Sequence, residues 1–344
     1  MFFCDPFGHT DSEHLFNLGP TTVHDKDYVY FHDQEPVCTE LHKSLFQAVI
    51  KRNKDIICDP LGHMIVSERG EFVDNVATEY GWQTHYYFFH GWACLDWFRG
   101  YDRSFLIPRA AERIPTKTFM SPNRIIAGHR DHRVLFLYHV IKQGLQNNHI
   151  SAPRICPVEN VDITSIAQKY INVYQDIIEV FEQAKLPRLF AGETTQRMTS
   201  CWLTNFDAAA DSLIYVPTET VYFGRRSHIT EKTFKAIALE MPFVLVAPAG
   251  SLEYLREYGF QTFAGVLDES YDQETNDILR VELVTKLLND IDNLSLSERQ
   301  QLHRHMLPAV QHNYNHFYRG TFSDLLWKEL KGMLNNLQKL KSND

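Results

Sequence analysis

The chain has 344 residues, 44% of them hydrophobic and 22% charged, which is too long for one ordinary core and typical of a globular protein of two domains. A formal charge of −9 argues against a protein that coats nucleic acid, since that binding rests on cations that neutralise phosphates. No apolar run nears the roughly 18 residues of a membrane span, the start MFFCDPFGHT lacks the basic region and apolar core of a signal peptide, and Cys4, Cys38, Cys58, Cys94, Cys156 and Cys201 form no CxxC, so reduced thiols in a cytoplasm are expected.

In chain order, the aromatic and β-branched run Tyr28 to Phe31 predicts a short strand, and YFHDQEP sets Asp33 and Glu35 just beyond it. Open α/β sheets present chemistry outside the carboxyl ends of their strands, so either carboxylate is a candidate general base; a turn cap before Pro36 is the alternative. Leu41 to Ile50 has helical spacing, and Ile56 to Cys58 and Tyr86 to Phe89 read as further buried strands. His90 and Trp92 follow in FFHGW, where they are candidates to line a ligand cleft or simply to fill the core. From Arg99 to Arg133 eight basic residues stand against three acidic ones, a local excess in an acidic chain that suits a solvated surface or a cleft wall meeting phosphates. Arg130 and Arg133 open an amphipathic stretch, Val134 to Leu145, and the domain boundary is expected near residue 150. Ile163, Ile166, Tyr170, Val173, Ile177 and Val180 then predict one long helix.

The most informative stretch is His228 to Gly265, and just before it lies Leu213 to Val216, an apolar strand that ends in Thr218 and Glu219. Thr230 caps a predicted helix with Phe234, Ile237, Ala238 and Met241 on one side, stopped by Pro242. Phe243 to Ala247 is a second buried strand, and Ser251 caps SLEYLREY, which ends at Gly259. Strand and helix alternating in this way predict a parallel sheet with right-handed crossovers. The start of the first helix suits a diphosphate, with its unpaired N–H groups, Lys232 beside it and Arg225 and Arg226 just upstream; Glu231 is then placed for a ribose diol. Beyond Asp272 the pattern is mostly helical. There is no GxGxxG, no P-loop and no HExxH, and neither DKD at Asp25 to Asp27 nor DID at Asp290 to Asp292 follows a strand, so no metal site is expected.

Thr230-Glu231-Lys232, with Glu219 before it and a helix, a proline and an apolar strand after it, resembles the donor-site motif of the fucosyltransferase-like glycosyltransferases. Through ITEKTFKAIA, GSLEYLREYGFQTF, LDESYD, YYFFHGWACLDWFRGYD and YFHDQEP the chain is also similar to glycosyltransferases of large tailed phages and their bacterial relatives. The interval from Glu219 to Glu231 is slightly longer than in that pattern, and Thr220 stands where an asparagine is usual. The resemblance implies an α/β fold of the GT-B type: two Rossmann-like domains facing a central cleft, residues 1–150 on the acceptor side and 151–344 binding the donor, with a helical C-terminal region. It implies that Glu231 meets the ribose and Lys232 the phosphates, that Asn123, Arg124 and Arg133 form the asparagine and arginine cluster before a helix, and that a carboxylate before Pro36 is the base. The expected activity is metal-independent, inverting transfer from a nucleotide-sugar co-substrate to a hydroxyl acceptor, with no cofactor and, for a phage protein, in the host cytoplasm. A glycan suits the negative charge as acceptor. A modified DNA base, the one role left for nucleic acid, and a noncatalytic nucleotide-sugar or glycan-binding protein are the alternatives.

Overall fold

The computed structural model describes residues 2–5, 16–17, 28–32, 36, 62–79, 81–98, 106–190, 193 and 201–342. The runs Leu41 to Ile50 and Ile56 to Cys58, and both Asp33 and Glu35, lie outside the described residues. The chain divides into two compact units: Met1–Ala93 with Arg225–His228 and Ser323–Asp344, and Cys94–Gly224 with Ile229–Phe322.

The first unit is built on a five-stranded sheet in the order β2-β1-β3-β4-β5. Its strands are β1 (Phe2–Asp5), β2 (Phe16–Asn17), β3 (Tyr28–His32), β4 (Gly62–Val66) and β5 (Trp82–Tyr86). All neighbours are parallel except β1 and β2. Every residue of β4 is buried, as a strand covered on both faces must be. Helix α1 (Glu71–Glu79) buries Val73, Val76 and Ala77. The strand expected at Tyr86 to Phe89 is instead β5, which ends at Tyr86; helix α2 (Phe89–Phe98) starts three residues later, so the aromatic run straddles a strand end and a helix start. Gly70 sits at φ +157°, and a Cβ there would meet the Arg225 carbonyl oxygen at 2.8 Å. That bare backbone lets Arg69 and Ser227 exchange N–H···O bonds of 3.0 and 2.7 Å, which ties residues 225–228 to this unit.

The second unit carries a parallel sheet β7-β6-β8, from β6 (Lys117–Ser121), β7 (His149–Ile150) and β8 (Ser212–Tyr215). Phe243 to Ala247 extends it through the parallel bridges Tyr215↔Phe243 and Thr218↔Val246. The expected boundary near 150 therefore falls at the end of β7, inside a sheet whose next strand, β6, lies on its N-terminal side. Between β6 and β7 runs α3 (His132–Lys142); it is no amphipathic helix, since His132 to Val140 are all buried. The single helix predicted from Ile163 to Val180 is broken into α4 (Ile163–Ala167) and α5 (Ile177–Gln183). Tertiary contacts outweigh the pattern there: Tyr174 packs on Tyr138 with ring centroids 4.7 Å apart and donates to Glu282 at 2.6 Å, in a stretch where β-branched Ile171 and Val173 add little helix propensity.

Helix α6 (Phe206–Asp211) leads into β8, and α7 (Glu231–Ala238) and α8 (Ser251–Glu257) flank the added strand segment. Residue 251 opens α8 as its first residue; the cap position belongs to Gly250 at φ +82°, and the Ser251 hydroxyl donates to the Pro248 carbonyl. Three long helices close the chain, α9 (Asp277–Asp292), α10 (Leu296–Tyr318) and α11 (Thr321–Ser342), in agreement with the helical pattern read beyond Asp272. Phe234 of α7 stacks on Phe317 and Phe322, and Phe260 meets Phe322 edge-on, so an aromatic cluster holds α7 against α10. Each such ring contributes about 1.5–3 kcal/mol through burial.

Candidate functional site

In the second unit the chain leaves β6 for β7 on one side and later returns to β8 on the other, so the direction of winding reverses between β6 and β8. Crevices outside the carboxyl ends of strands at such a reversal are where open α/β sheets take ligands. The loops there are Ser121 to Ala127 and Val216 to Ile229, and α7 begins directly after the second. They are locked together by polar side chains. The Thr218 hydroxyl donates to Asn123 Oδ1 at 2.8 Å, while Asn123 Nδ2 holds the Ser121 carbonyl and hydroxyl at 3.1 and 3.0 Å. Arg133, fully buried on α3, donates to the carbonyls of Ile125 (2.7 Å), Thr218 (2.8 Å) and Glu219 (3.2 Å). Burial first, and Arg130 second, push its guanidinium down to about 9.

Glu219 is completely buried, and its carboxylate is the hub of the edge. It accepts from the backbone N–H of Thr230 (3.1 Å) and Thr220 (3.3 Å) and from the hydroxyls of Thr230 (2.5 Å) and Thr233 (2.6 Å). Four donors on one carboxylate leave it no room for a ligand, so this residue positions the start of α7. Thr233, one turn into α7, was not singled out by sequence; the TxxT spacing from Thr230 is the signal that puts both hydroxyls on one face.

At the mouth of the edge, Thr230 caps α7 as expected: its extended backbone (φ −121°) and its side-chain oxygen receive the helix, with the Lys232 N–H at 3.5 Å. The Lys232 ammonium donates to Thr220 (2.8 Å), Thr230 (3.2 Å) and Glu231 (3.0 Å). Glu231 and Lys232 thus form an ion pair whose side chains keep 12% and 22% of their surface in solvent, in contrast to Glu219 beneath them. One turn on, burial pushes Lys235 down, with Glu231 opposing.

Arg124, half-buried, and Glu193 join the same charge network: burial raises Glu193, which Arg124 and Lys235 partly offset, and its carboxylate accepts the Phe190 N–H at 2.9 Å. Asp272 lies behind the end of the added strand segment. It accepts the Leu252 N–H at 3.1 Å, its backbone carbonyl takes the Gly250 N–H at 2.7 Å, and burial pushes its carboxyl up to about 6. Arg280, one of the largest fully buried side chains, donates to the carbonyls of Ala247, Glu274 and Tyr222 and stacks over the Tyr222 ring at 4.3 Å. Nothing in the sequence marks Glu193 or Arg280 as neighbours of this edge, because only the fold brings Glu193 to Arg124 and Arg280 to Tyr222.

The remaining candidates belong to the first unit. Arg226 forms a 2.9 Å ion pair with fully buried Glu68 and lies 5.4 Å over the Phe72 ring, so its charge serves a buried carboxylate. Arg225 is exposed. His90 is buried and meets His228 edge-on at 5.1 Å. Trp92 packs edge-on against Trp327 of α11 at 4.8 Å, the packing alternative for that residue. No group of His, Cys, Asp and Glu able to hold a metal occurs among the described residues, and none of their helices is long and apolar enough to cross a membrane.

No protein-family model matches the chain, and no curated protein matches it in sequence. Solved structures do. A trehalose-6-phosphate structure from E. coli with UDP-2-fluoro glucose bound is 15% identical, with 87% of this chain and 67% of that one covered at a TM-score of 0.35. An apo structure of OtsA gives 15%, 87%, 67% and 0.34. An alpha,alpha-trehalose-phosphate synthase (UDP-forming) from Burkholderia vietnamiensis gives 12%, 88%, 66% and 0.34.

Proposed function

We propose that this chain is a glycosyltransferase of the GT-B type, and that the diphosphate of a nucleotide-sugar donor lies at the edge between β6 and β8, against the start of α7. The observation that carries this reading is the charge balance there. Arg124, Arg130, Arg133, Lys232 and Lys235 are linked electrostatically to Glu193, Glu219 and Glu231, five cations to three carboxylates, at the carboxyl ends of parallel strands where the winding reverses. A surplus of positive charge beside a helix start suits a diphosphate, whose negative charge grows as the sugar leaves.

In this reading Lys232 turns from Glu231 to the phosphates, and Glu231 accepts from the ribose hydroxyls. Thr230 and Glu219 hold the helix that presents both. Arg133 orders the loops, and Arg124 faces the donor. Following the fucosyltransferase-like resemblance, Asp33 or Glu35 takes the proton of the acceptor hydroxyl as its oxygen attacks the anomeric carbon, and the bond to the diphosphate breaks with inversion. Lysine, arginine and the helix start supply the positive charge without a metal, and no cofactor takes part. The acceptor is a glycan.

Calorimetric titration with a nucleoside diphosphate and its nucleotide-sugar, in excess EDTA, tests the reading. Lys232→Ala weakens both ligands together by ~1.5–3 kcal/mol, the worth of a charge-assisted hydrogen bond. Unchanged affinity for both in a folded variant removes Lys232 from the site, and binding that appears only with magnesium or manganese removes the metal-free mechanism.

A further inference from the structure

At the β7 margin of the same sheet the second unit holds a cavity of about 560 Å³, a size that suits a small organic ligand. Its floor is apolar, from Leu137 on α3, Ile150 on β7, Val180 on α5 and Leu186 in the loop after α5. Three cations stand on its rim and no carboxylate lines it. One of them, Lys142, is neutralised by Asp176 at 2.8 Å and donates to the Tyr138 hydroxyl at 2.6 Å. The other two are Lys185, exposed, and Arg188, half-buried; among the described residues neither side chain has a hydrogen-bond or ion-pair partner. Arg188 is nevertheless held in place by its backbone, which exchanges N–H···O bonds of 2.6 and 2.9 Å with Ala152.

An apolar floor draws in a hydrocarbon or aromatic body, and a guanidinium on an anchored backbone, with no counter-ion among the described residues, draws a carboxylate or phosphate in bidentate fashion. We propose that this cavity binds an amphipathic organic anion, an alkyl or aryl body ending in a phosphate or carboxylate, with the body on Leu137, Ile150 and Val180 and the head on Arg188 and Lys185. The site is separate from the edge between β6 and β8 and does not depend on the activity proposed there.

Calorimetry on the full chain with octyl phosphate, octanol and inorganic phosphate tests this. Octyl phosphate binds at least roughly tenfold more tightly than either fragment, since both parts of the cavity must be engaged. The double substitution Lys185→Ala with Arg188→Ala weakens octyl phosphate by roughly tenfold or more while leaving nucleotide affinity unchanged, and Val180→Trp, which fills the floor, abolishes it. The proposal is overturned by octanol or inorganic phosphate matching octyl phosphate, by unchanged binding in the double variant, or by no octyl phosphate binding at all. Binding lost in Lys232→Ala and kept in the double variant places the ligand at the other site and overturns it as well.

Discussion

Glu219 carries its carboxylate where water does not reach it, and the four donors that surround it decide what a substitution there does. Glu219→Gln keeps one acceptor and turns the other oxygen into a donor facing donors. Glu219→Ala strands all four, so the alanine variant should lose about 3–5 kcal/mol in urea unfolding and the glutamine variant less. Equal stability of wild type and Glu219→Ala would mean the carboxylate does not organise α7. The sequence made Glu219, Thr230, Glu231 and Lys232 visible as polar residues at a strand end and a helix start, and all four do meet. It did not separate buried Glu219 and Thr230 from the partly exposed Glu231 and Lys232, because depth is set by chain segments that pack from far away. Asp272 is the extreme of that kind. Its folded-state carboxyl lies at about 6, above its ordinary 3.8, so the native state holds a proton that the unfolded state has released between those values. Its contribution to stability is therefore full below pH 4 and lost as pH rises to about 6, a loss on the order of 3 kcal/mol. Asp272→Asn should remove this dependence: the difference in unfolding free energy between variant and wild type grows in the variant's favour from pH 4 to 6.5. His303, which burial holds down at about 4, pulls the other way across the same range in both proteins and cancels in the difference. A pH-independent difference would contradict the shift.

At the scale of elements, helix termini were more legible than helix continuity. Thr230 and Gly259 mark their ends in the sequence because capping is local chemistry: a hydroxyl for an orphan N–H, and a residue without Cβ where φ is +85°. The break between α4 and α5 was not legible, since Tyr174 leaves the helical line for partners on α3 and α9 that no short window contains. Gly259 also does more than end a helix. A Cβ there would lie 2.9 Å from the His316 ring of α10, whose Nε2 bonds the Tyr258 carbonyl at 2.7 Å, so the end of α8 and the flank of α10 meet backbone to ring. Gly259→Ala combines a left-handed backbone with this collision and should cost about 2–3 kcal/mol by thermal or urea unfolding, well beyond the ~1 kcal/mol of the backbone effect alone. If His316→Ala made Gly259→Ala no milder, the collision would not be its cause.

For the molecule as a whole, alternation of strands and helices predicted parallel sheets, and two units with such sheets are present. A single boundary near 150 could not express how they are divided, because the first unit draws on three separate stretches of chain. Its last stretch matters to its core: Met333 and Leu337 of α11 pack against Ile65 and Tyr87. A variant ending at residue 322 should expose that surface, bind anilinonaphthalene sulfonate strongly and unfold without a sharp transition in its N-terminal part. A soluble, dye-silent truncation with an unchanged transition would show the helix to be dispensable. On the ribosome the same arrangement sets a schedule. Chains usually complete their domains from the N-terminus onward as they emerge, yet here a sheet waits for a helix made more than 200 residues later. At ~5–20 residues per second, the more than 200 residues between β5 and α11 represent tens of seconds in which Ile65 and Tyr87 lack their cover. The unit whose sheet precedes the second unit in the chain is completed only after it, and its yield in a cell should depend on chaperones that hold a nascent sheet apart from its neighbours.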